Sequence, residues 1–456
     1  MTQRPVVVIG AGPAGLASAA ELRRRGVPVI VLERAEAVAA SWRGRYDRLR
    51  LNSSRWLSQL PGMRWPRGTG VFPGRDDVVR YLEAYAERGG VEVRVNTRVD
   101  RIDRDPEGWT VRTPSGDVAA SQVIVAAGYD HTPDIPAWPG RESYRGRLLH
   151  AAEYKEPSPY EGRDVLVVGP GCSGMEIAYE LATNGARRVR LAVRTPPNIL
   201  LRSPVGPLLA RLAMHTSPER ADAVMAVVRR RMIGDLSEYG LPVPAEGIFT
   251  RLHRLRVAPA IIDKQTLDAI RDRRIEIVRA VDALDEHAVH LADGSRLEPD
   301  AVIAATGYRT GLEPIAGHLG VLDERGVPLE LHGEAAPGLR FIGYLPRPAH
   351  IGLMGQDARR AAAEIAAAWP AERRSTWRGR RRAAAAGLRG RAGAVAQTGR
   401  EWFRAGPLVI RRRASSPGAR RPAAWVPRPR FRDLHGDSPP WSRASRRRGR
   451  PPSRTC

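Results

Sequence analysis

Two hexapeptides, Gly10-Ala11-Gly12-Pro13-Ala14-Gly15 and Gly169-Pro170-Gly171-Cys172-Ser173-Gly174, place three glycines at one spacing in distant parts of a 456-residue chain. Each follows a short apolar run and opens a stretch of helical periodicity, the context in which this spacing cradles a pyrophosphate. The first glycine makes the tight turn, the second lets backbone approach the phosphates, and the third lets helix and strand pack closely. The free N–H groups and dipole of the helix then favour negative charge. Glu33 stands about 20 residues beyond the first loop, where an acid accepts a hydrogen bond from a ribose hydroxyl and repels a 2′-phosphate. That site suits FAD or NAD. Arg194 occupies the matching place after the second loop, and a guanidinium there can pair with a 2′-phosphate, which suits NADPH. A solvated surface charge is the alternative for Arg194, and more so for Arg190. Cys172 reads as a small space-filler, because neither a second cysteine nor a paired histidine is evident near it in the sequence. Two sites of opposite charge preference imply hydride transfer from NADPH to FAD.

The elements that must position these loops repeat as well. Residues 5–33 read as strand Val6–Ile9, glycine loop, helix ending at Gly26, and strand Val29–Leu32. Residues 164–194 follow the same plan, with strands at 165–168 and 189–193 around a helix that stops at Asn184-Gly185. Strands are also expected at 91–95 and 109–112. The apolar runs 123–126 and 301–304 both lead into small residues and a glycine, as at the exits of two nested domains. The expected fold is α/β, with two Rossmann-like, doubly wound dinucleotide-binding domains and the NADPH domain inserted in the FAD domain. The expected limits are 1–161 and 301–369 for the FAD domain and 162–300 for the insert. Segment 195–260 is rich in leucine, proline and arginine and holds an amphipathic stretch at 208–214. A substrate-channel element, a membrane-surface contact and plain core all fit that stretch, and core is the expectation.

The net charge of +25 would suit a nucleic-acid binder, but its distribution argues otherwise. From residue 370 onward there are 24 arginines against 4 acidic residues, which leaves +5 for the rest. This tail is mostly Arg, Ala, Pro and Gly, a composition expected to stay disordered. No specific nucleic-acid partner is expected, and a homodimer is left open. No uninterrupted apolar run is long enough to span a membrane, and no secretory signal pattern opens the chain, so a cytoplasmic protein is expected. The two cysteines, Cys172 and Cys456, show no metal-ligand spacing, so no metal site is expected.

The segment Tyr144-Arg145-Gly146-Arg147-Leu148-Leu149-His150-Ala151-Ala152-Glu153-Tyr154 resembles the identifying motif of flavin-containing monooxygenases: aromatic, then glycine, histidine and a closing aromatic. Tyr144 replaces the more usual Phe, and Tyr154 differs from the Trp of the Baeyer–Villiger branch. Ser41-Trp42 and the stretch from Tyr46 to Asn52 resemble the family's flavin-contacting segment, with Asn52 matching an active-site asparagine. Gln59-Leu60-Pro61 and Tyr81-Leu82-Glu83 are similar to the plant branch that oxidatively decarboxylates indole-3-pyruvate, although Asn52 is not typical of that branch. The resemblance extends over residues 5–369. It implies that NADPH reduces FAD, that O₂ forms a C4a-hydroperoxyflavin, and that one oxygen atom passes to a small organic substrate: an amine, a thioether or an α-keto acid. It adds Ser41, Trp42, Val99, Thr306, Gly307 and Asp357 to the cofactor contacts. Asn52 is the implied catalytic hydrogen-bond donor, and His150 is expected to hold its loop and not to move a proton. An NADPH oxidase or quinone reductase with the same two cofactors is the alternative.

Overall fold

The run Val6–Ile9 is buried on both faces, as parallel strands covered by helices require, and the same holds for Val29–Leu32 and Ala301–Ala304. The computed structural model describes residues 4–213, 215–255, 258–345, 347 and 349–369. The arginine-rich tail expected to be disordered lies outside the described residues.

Two five-stranded parallel sheets organise the chain. The first runs in the order Leu339–Phe341, Gln122–Val125, Val6–Ile9, Val29–Leu32, Val93–Arg94. The second has the same layout, in the order Arg147–His150, Ala301–Ala304, Asp164–Val168, Arg188–Val193, Ile275–Arg279, except that its edge strand comes from before the unit and not after it. Each also carries a three-stranded antiparallel meander just before its exit strand. These are Arg101–Asp105, Gly108–Arg112 and Val118–Ala120 in the first, and Val281–Leu284, Val289–Leu291 and Arg296–Leu297 in the second. The architecture is that of two Rossmann-like domains, one inserted in the other. The second sheet reaches beyond the expected limits of 162–300, because its edge strand Arg147–His150 precedes them and Ala301–Ala304 follows them. An all-apolar run says that a strand is buried but not which sheet takes it.

The chain leaves and re-enters the first domain side by side, since Thr132–Pro133 pairs antiparallel with Tyr308–Arg309. Helix Pro13–Arg24 is covered by helix His350–Ala368, where Ala17 and Ala20 meet a helix whose inner face is Ala358, Ala361 and Ala362. Small residues on both sides allow that close approach.

Segment 208–214 departs from the expectation of core. Helix Gly206–Ala213 exposes Leu208, Leu209 and Leu212, and residue 214 itself lies outside the described residues. Periodicity revealed an apolar face, but nothing in it says whether another element covers that face.

Candidate functional site

The first glycine loop is built as its spacing demands. Gly10 has φ +101°, and a Cβ there would meet the Ala126 carbonyl oxygen at 2.6 Å. A Cβ on Gly15 would lie 1.9 Å from the Gly10 carbonyl oxygen, so helix Pro13–Arg24 can sit on its strand only because that side chain is missing. Gly12 is different, since a Cβ there meets nothing within 4 Å. The space in front of it is open to a phosphate, at a helix N-terminus with Ala14 in its first turn. Glu33, nearly buried, accepts from the Ala11 N–H at 2.7 Å and the Ala35 N–H at 3.0 Å, which aims its carboxylate along the strand ends. It lines a cavity of about 360 Å³ together with Gly10, Thr97, Val99 and His131.

The second loop copies the first almost atom for atom. A Cβ on Gly169 (φ +110°) would lie 2.5 Å from the Ala305 carbonyl oxygen, and one on Gly174 would lie 1.9 Å from that of Gly169. A Cβ on Gly171 again meets nothing within 4 Å. Cys172 and Ser173 open helix Cys172–Thr183. Arg194 follows the strand Arg188–Val193 and, with Arg279 and Ser295, lines a cavity of about 260 Å³. It has no acidic partner among the described residues, whereas Arg190 faces Glu276 at 3.3 Å across the sheet. Glu33 and Arg194 thus stand at matching strand ends, one a carboxylate held by backbone N–H groups and the other a guanidinium lining its own cavity.

A largely part-buried polar chain ends on the second loop. The Asn52 Nδ2 donates to Cys172 Sγ at 3.5 Å, and Arg202 Nη2 donates to Asn52 Oδ1 at 3.2 Å. Arg202, 3% exposed, also pairs with Glu176 and with Asp263 at 3.0 Å, while Tyr46 donates its hydroxyl proton to Glu176 at 2.6 Å. Asn52 therefore spans the seam from the first domain to the second glycine loop. Burial pushes the Cys172 thiol up, which favours its protonated form. Burial also lifts the Glu176 carboxyl, against the pull of Arg202. Arg202 and Glu176 carried no sequence signal, because their pairing depends on which elements the fold brings together.

In the 144–154 segment, the Tyr144 ring covers Gly146, where a Cβ would lie 2.3 Å from the ring. Tyr154 is buried and donates to Glu180 at 3.1 Å. His150 is buried too. Its Nδ1 accepts from the Ala152 N–H at 3.1 Å and its Nε2 donates to the Gly307 carbonyl at 2.9 Å. Burial lowers its pKa, so the ring is a neutral strut that ties the motif to the return crossing. His150→Ala should destabilise the protein by about 1–3 kcal/mol through the unmet carbonyl and N–H. Reduction of bound flavin by NADPH should remain near the wild-type rate. Melting temperature and single-turnover reduction check the two parts separately.

The remaining expected contacts are more dispersed. Ser41 and Trp42 lie on the short helix Ala40–Arg43, tied to the first loop by the Ala39 N–H donating to the Ala11 carbonyl at 3.1 Å. Ser41 is exposed. Thr306 donates to the Asp134 carbonyl, and Gly307 adopts φ +95°. Asp357 is occupied by Arg347 and by Arg360, the latter at 3.1 Å. Sequence reasoning missed Gly343. It follows the strand Leu339–Phe341 with φ +95°, and a Cβ there would lie 3.2 Å from Ala14 Cβ. The signal was present: an apolar strand closing on glycine, as at 128 and 307.

Burial holds several histidines below their ordinary pKa, led by His350, which is pushed down from 6.5 to about 4 beside the Tyr129 ring. His131, His150 and His332 shift the same way, each mainly by burial. A lowered folded-state value means that stability is intact above pH 6.5 and is lost as pH falls toward 4. The His350 share is up to about 3 kcal/mol. Melting curves across this range should show that decline, and His350→Leu should flatten part of it.

Two glycine cradles in nested Rossmann-like domains define a two-dinucleotide oxidoreductase. A sequence profile described as pyridine nucleotide-disulphide oxidoreductase matches residues 7–203. The chain is 33% identical over 383 residues to indole-3-pyruvate monooxygenase YUCCA1 of Oryza sativa subsp. japonica, covering 81% of this chain and 93% of that one. It is also 33% identical over 388 residues to the probable indole-3-pyruvate monooxygenase YUCCA3 of Arabidopsis thaliana, covering 80% and 87%. Among solved structures, a flavin-containing monooxygenase from Stenotrophomonas maltophilia superposes with a TM-score of 0.61 at 25% identity, over 80% of this chain and 99% of that one. An oxidized steroid monooxygenase bound to NADP shares the fold at 20% identity and a TM-score of 0.61, over 82% and 89%. The chain belongs to the flavin-containing monooxygenase family and is an FAD- and NADPH-dependent monooxygenase, and these relatives do not favour the alternative of a quinone reductase or NADPH oxidase.

Proposed function

We propose that the organic substrate is an α-keto acid of the indole-3-pyruvate kind, and that the first cradle holds FAD while the second holds NADPH. The observation that carries the substrate reading is the 33% identity to YUCCA1 over 93% of its length. When bound, FAD supplies the redox and oxygen chemistry, and the protein supplies orientation and the exclusion of water. Gly10, Gly12 and Gly15 bring backbone against the FAD pyrophosphate, with Glu33 on the ribose. Gly169, Gly171 and Gly174 do the same for NADPH, with Arg194 on its 2′-phosphate. Asn52, held between Cys172 and Arg202, presents its amide at the seam where the two cofactors meet. His150 fixes the crossing and takes no proton. The protein works in the cytoplasm without a nucleic-acid partner.

The test is oxygen bookkeeping. The purified holoenzyme is supplied with NADPH, ¹⁸O₂ and, in turn, indole-3-pyruvate, a tertiary amine and a thioether. The reading requires label in indole-3-acetate, with NADPH consumed in proportion. Label in the amine or thioether product alone would move the substrate class, and H₂O₂ equal to NADPH with every compound would remove the α-keto acid assignment.

A further inference from the structure

Eight of the thirteen large apolar side chains exposed among the described residues fall within 28 consecutive positions, 205–232. They are Val205, Leu208, Leu209 and Leu212 around helix Gly206–Ala213, and Val224, Val227, Val228 and Met232 on helix Pro218–Met232. Leu209 and Leu212 are each 61% exposed and Val224 is 63% exposed, far from the burial such residues normally find. The two helices do have an inner side: Ala210, Ala213, Ala221 and Met225 pack on Ile248 and Phe249. Both helices are therefore seated on Ile248 and Phe249, and each leaves apolar side chains uncovered on its other side.

The exposed charges on these two helices are mostly positive. Arg211, Arg220, Arg230 and Arg231 are exposed beside the apolar residues, against Glu219. Asp222, the other acid, is consumed in accepting from the Phe249 N–H at 2.7 Å and from the Thr250 N–H and hydroxyl. A second copy of the chain meeting this face about a twofold axis would set arginines against arginines. An anionic lipid surface meets both features at once: leucine and valine enter the boundary of headgroup and acyl chain, and arginines pair with phosphates above it.

We propose that the exposed apolar and basic side chains of residues 205–213 and 215–232 form a docking surface for an anionic lipid bilayer. The face lies close to the seam. Strand Ile199–Leu201 leads into it and is followed by Arg202, whose guanidinium holds Asn52. The proposal is independent of the substrate assignment.

The experiment is co-sedimentation of the full-length holoenzyme with vesicles of phosphatidylcholine alone or mixed with phosphatidylglycerol, at low and high salt. Because the arginine-rich tail carries its own charge, the comparison is between wild type and variants that all retain it. Wild type should partition onto the mixed vesicles. Leu208→Ser/Leu209→Ser/Leu212→Ser/Val227→Ser should bind at least tenfold more weakly, most clearly at high salt where attraction through the tail is screened. Arg220→Glu/Arg230→Glu/Arg231→Glu should lose the preference for phosphatidylglycerol. Bound flavin and NADPH consumption in solution should be unchanged in both, since every substituted side chain is exposed. Equal vesicle binding by the leucine variant and wild type would overturn the proposal by assigning the affinity to the tail. Failure of wild type to bind would overturn it too, as would light scattering that shows a wild-type dimer split by the leucine substitutions.

Discussion

Gly171→Ala and Gly174→Ala, three residues apart and chemically identical, should fail in different ways. In Gly171→Ala the new methyl meets no protein atom within 4 Å, so the melting temperature and the bound flavin should stay at wild-type values. The methyl instead fills the space a pyrophosphate needs, and reduction by NADPH should weaken about 10–100-fold, the equivalent of the 1–3 kcal/mol that an unaccommodated methyl costs. In Gly174→Ala the methyl would sit 1.9 Å from the Gly169 carbonyl oxygen, and neither backbone can yield without lifting helix Cys172–Thr183 off its strand. Stability itself should drop by about 1–3 kcal/mol or more, with NADPH reduction lost alongside. Thermal melting and stopped-flow reduction separate the cases. A Gly171→Ala protein that reduces normally would sink the assignment of the second loop to NADPH.

Arg194→Ser should turn the enzyme from NADPH toward NADH. Arg194 lines its cavity without an acidic partner among the described residues, so its charge is available to a 2′-phosphate. A charge-assisted hydrogen bond of this kind is worth about 1.5–3 kcal/mol, which corresponds to a fall of roughly 10–100-fold in kcat/KM for NADPH. The value for NADH should hardly move. Arg190→Ser is the control, since Arg190 already faces Glu276 and should leave the preference intact. If the two variants discriminate alike, Arg194 is a surface charge and the nucleotide preference has another origin.

Some of this was legible in the sequence because it is local. A glycine loop, the strand before it and the helix after it lie within about 30 residues, and their periodicities state the local fold. Glu33 and Arg194 are read at a fixed distance from those loops for the same reason. The edge strand Arg147–His150 could not be assigned to its sheet, since its pairing with Ala301–Ala304 joins residues about 150 apart. Asn52 was named through the family resemblance, but its links to Arg202 and Glu176 escaped for the same cause, since those two residues are ordinary one by one. The exposure of Leu209 and Leu212 escaped because an amphipathic pattern describes one helix and not its surroundings.

The nesting of the domains also sets an order of assembly. Strand Leu339–Phe341 and the covering helix His350–Ala368 are synthesised after the whole insert, yet they complete the first sheet and cap helix Pro13–Arg24. During translation the inner domain has all five of its strands once Ala301–Ala304 emerges, while the outer one still waits with an unpaired edge at Gln122–Val125. Domains fold as units as their chains are completed, so the inner domain comes first and the alanine face of Pro13–Arg24 stays open longest. A nascent chain stopped short of residue 339 would carry a finished nucleotide fold inside an unfinished one, and the open edge is where a chaperone or a protease would find it.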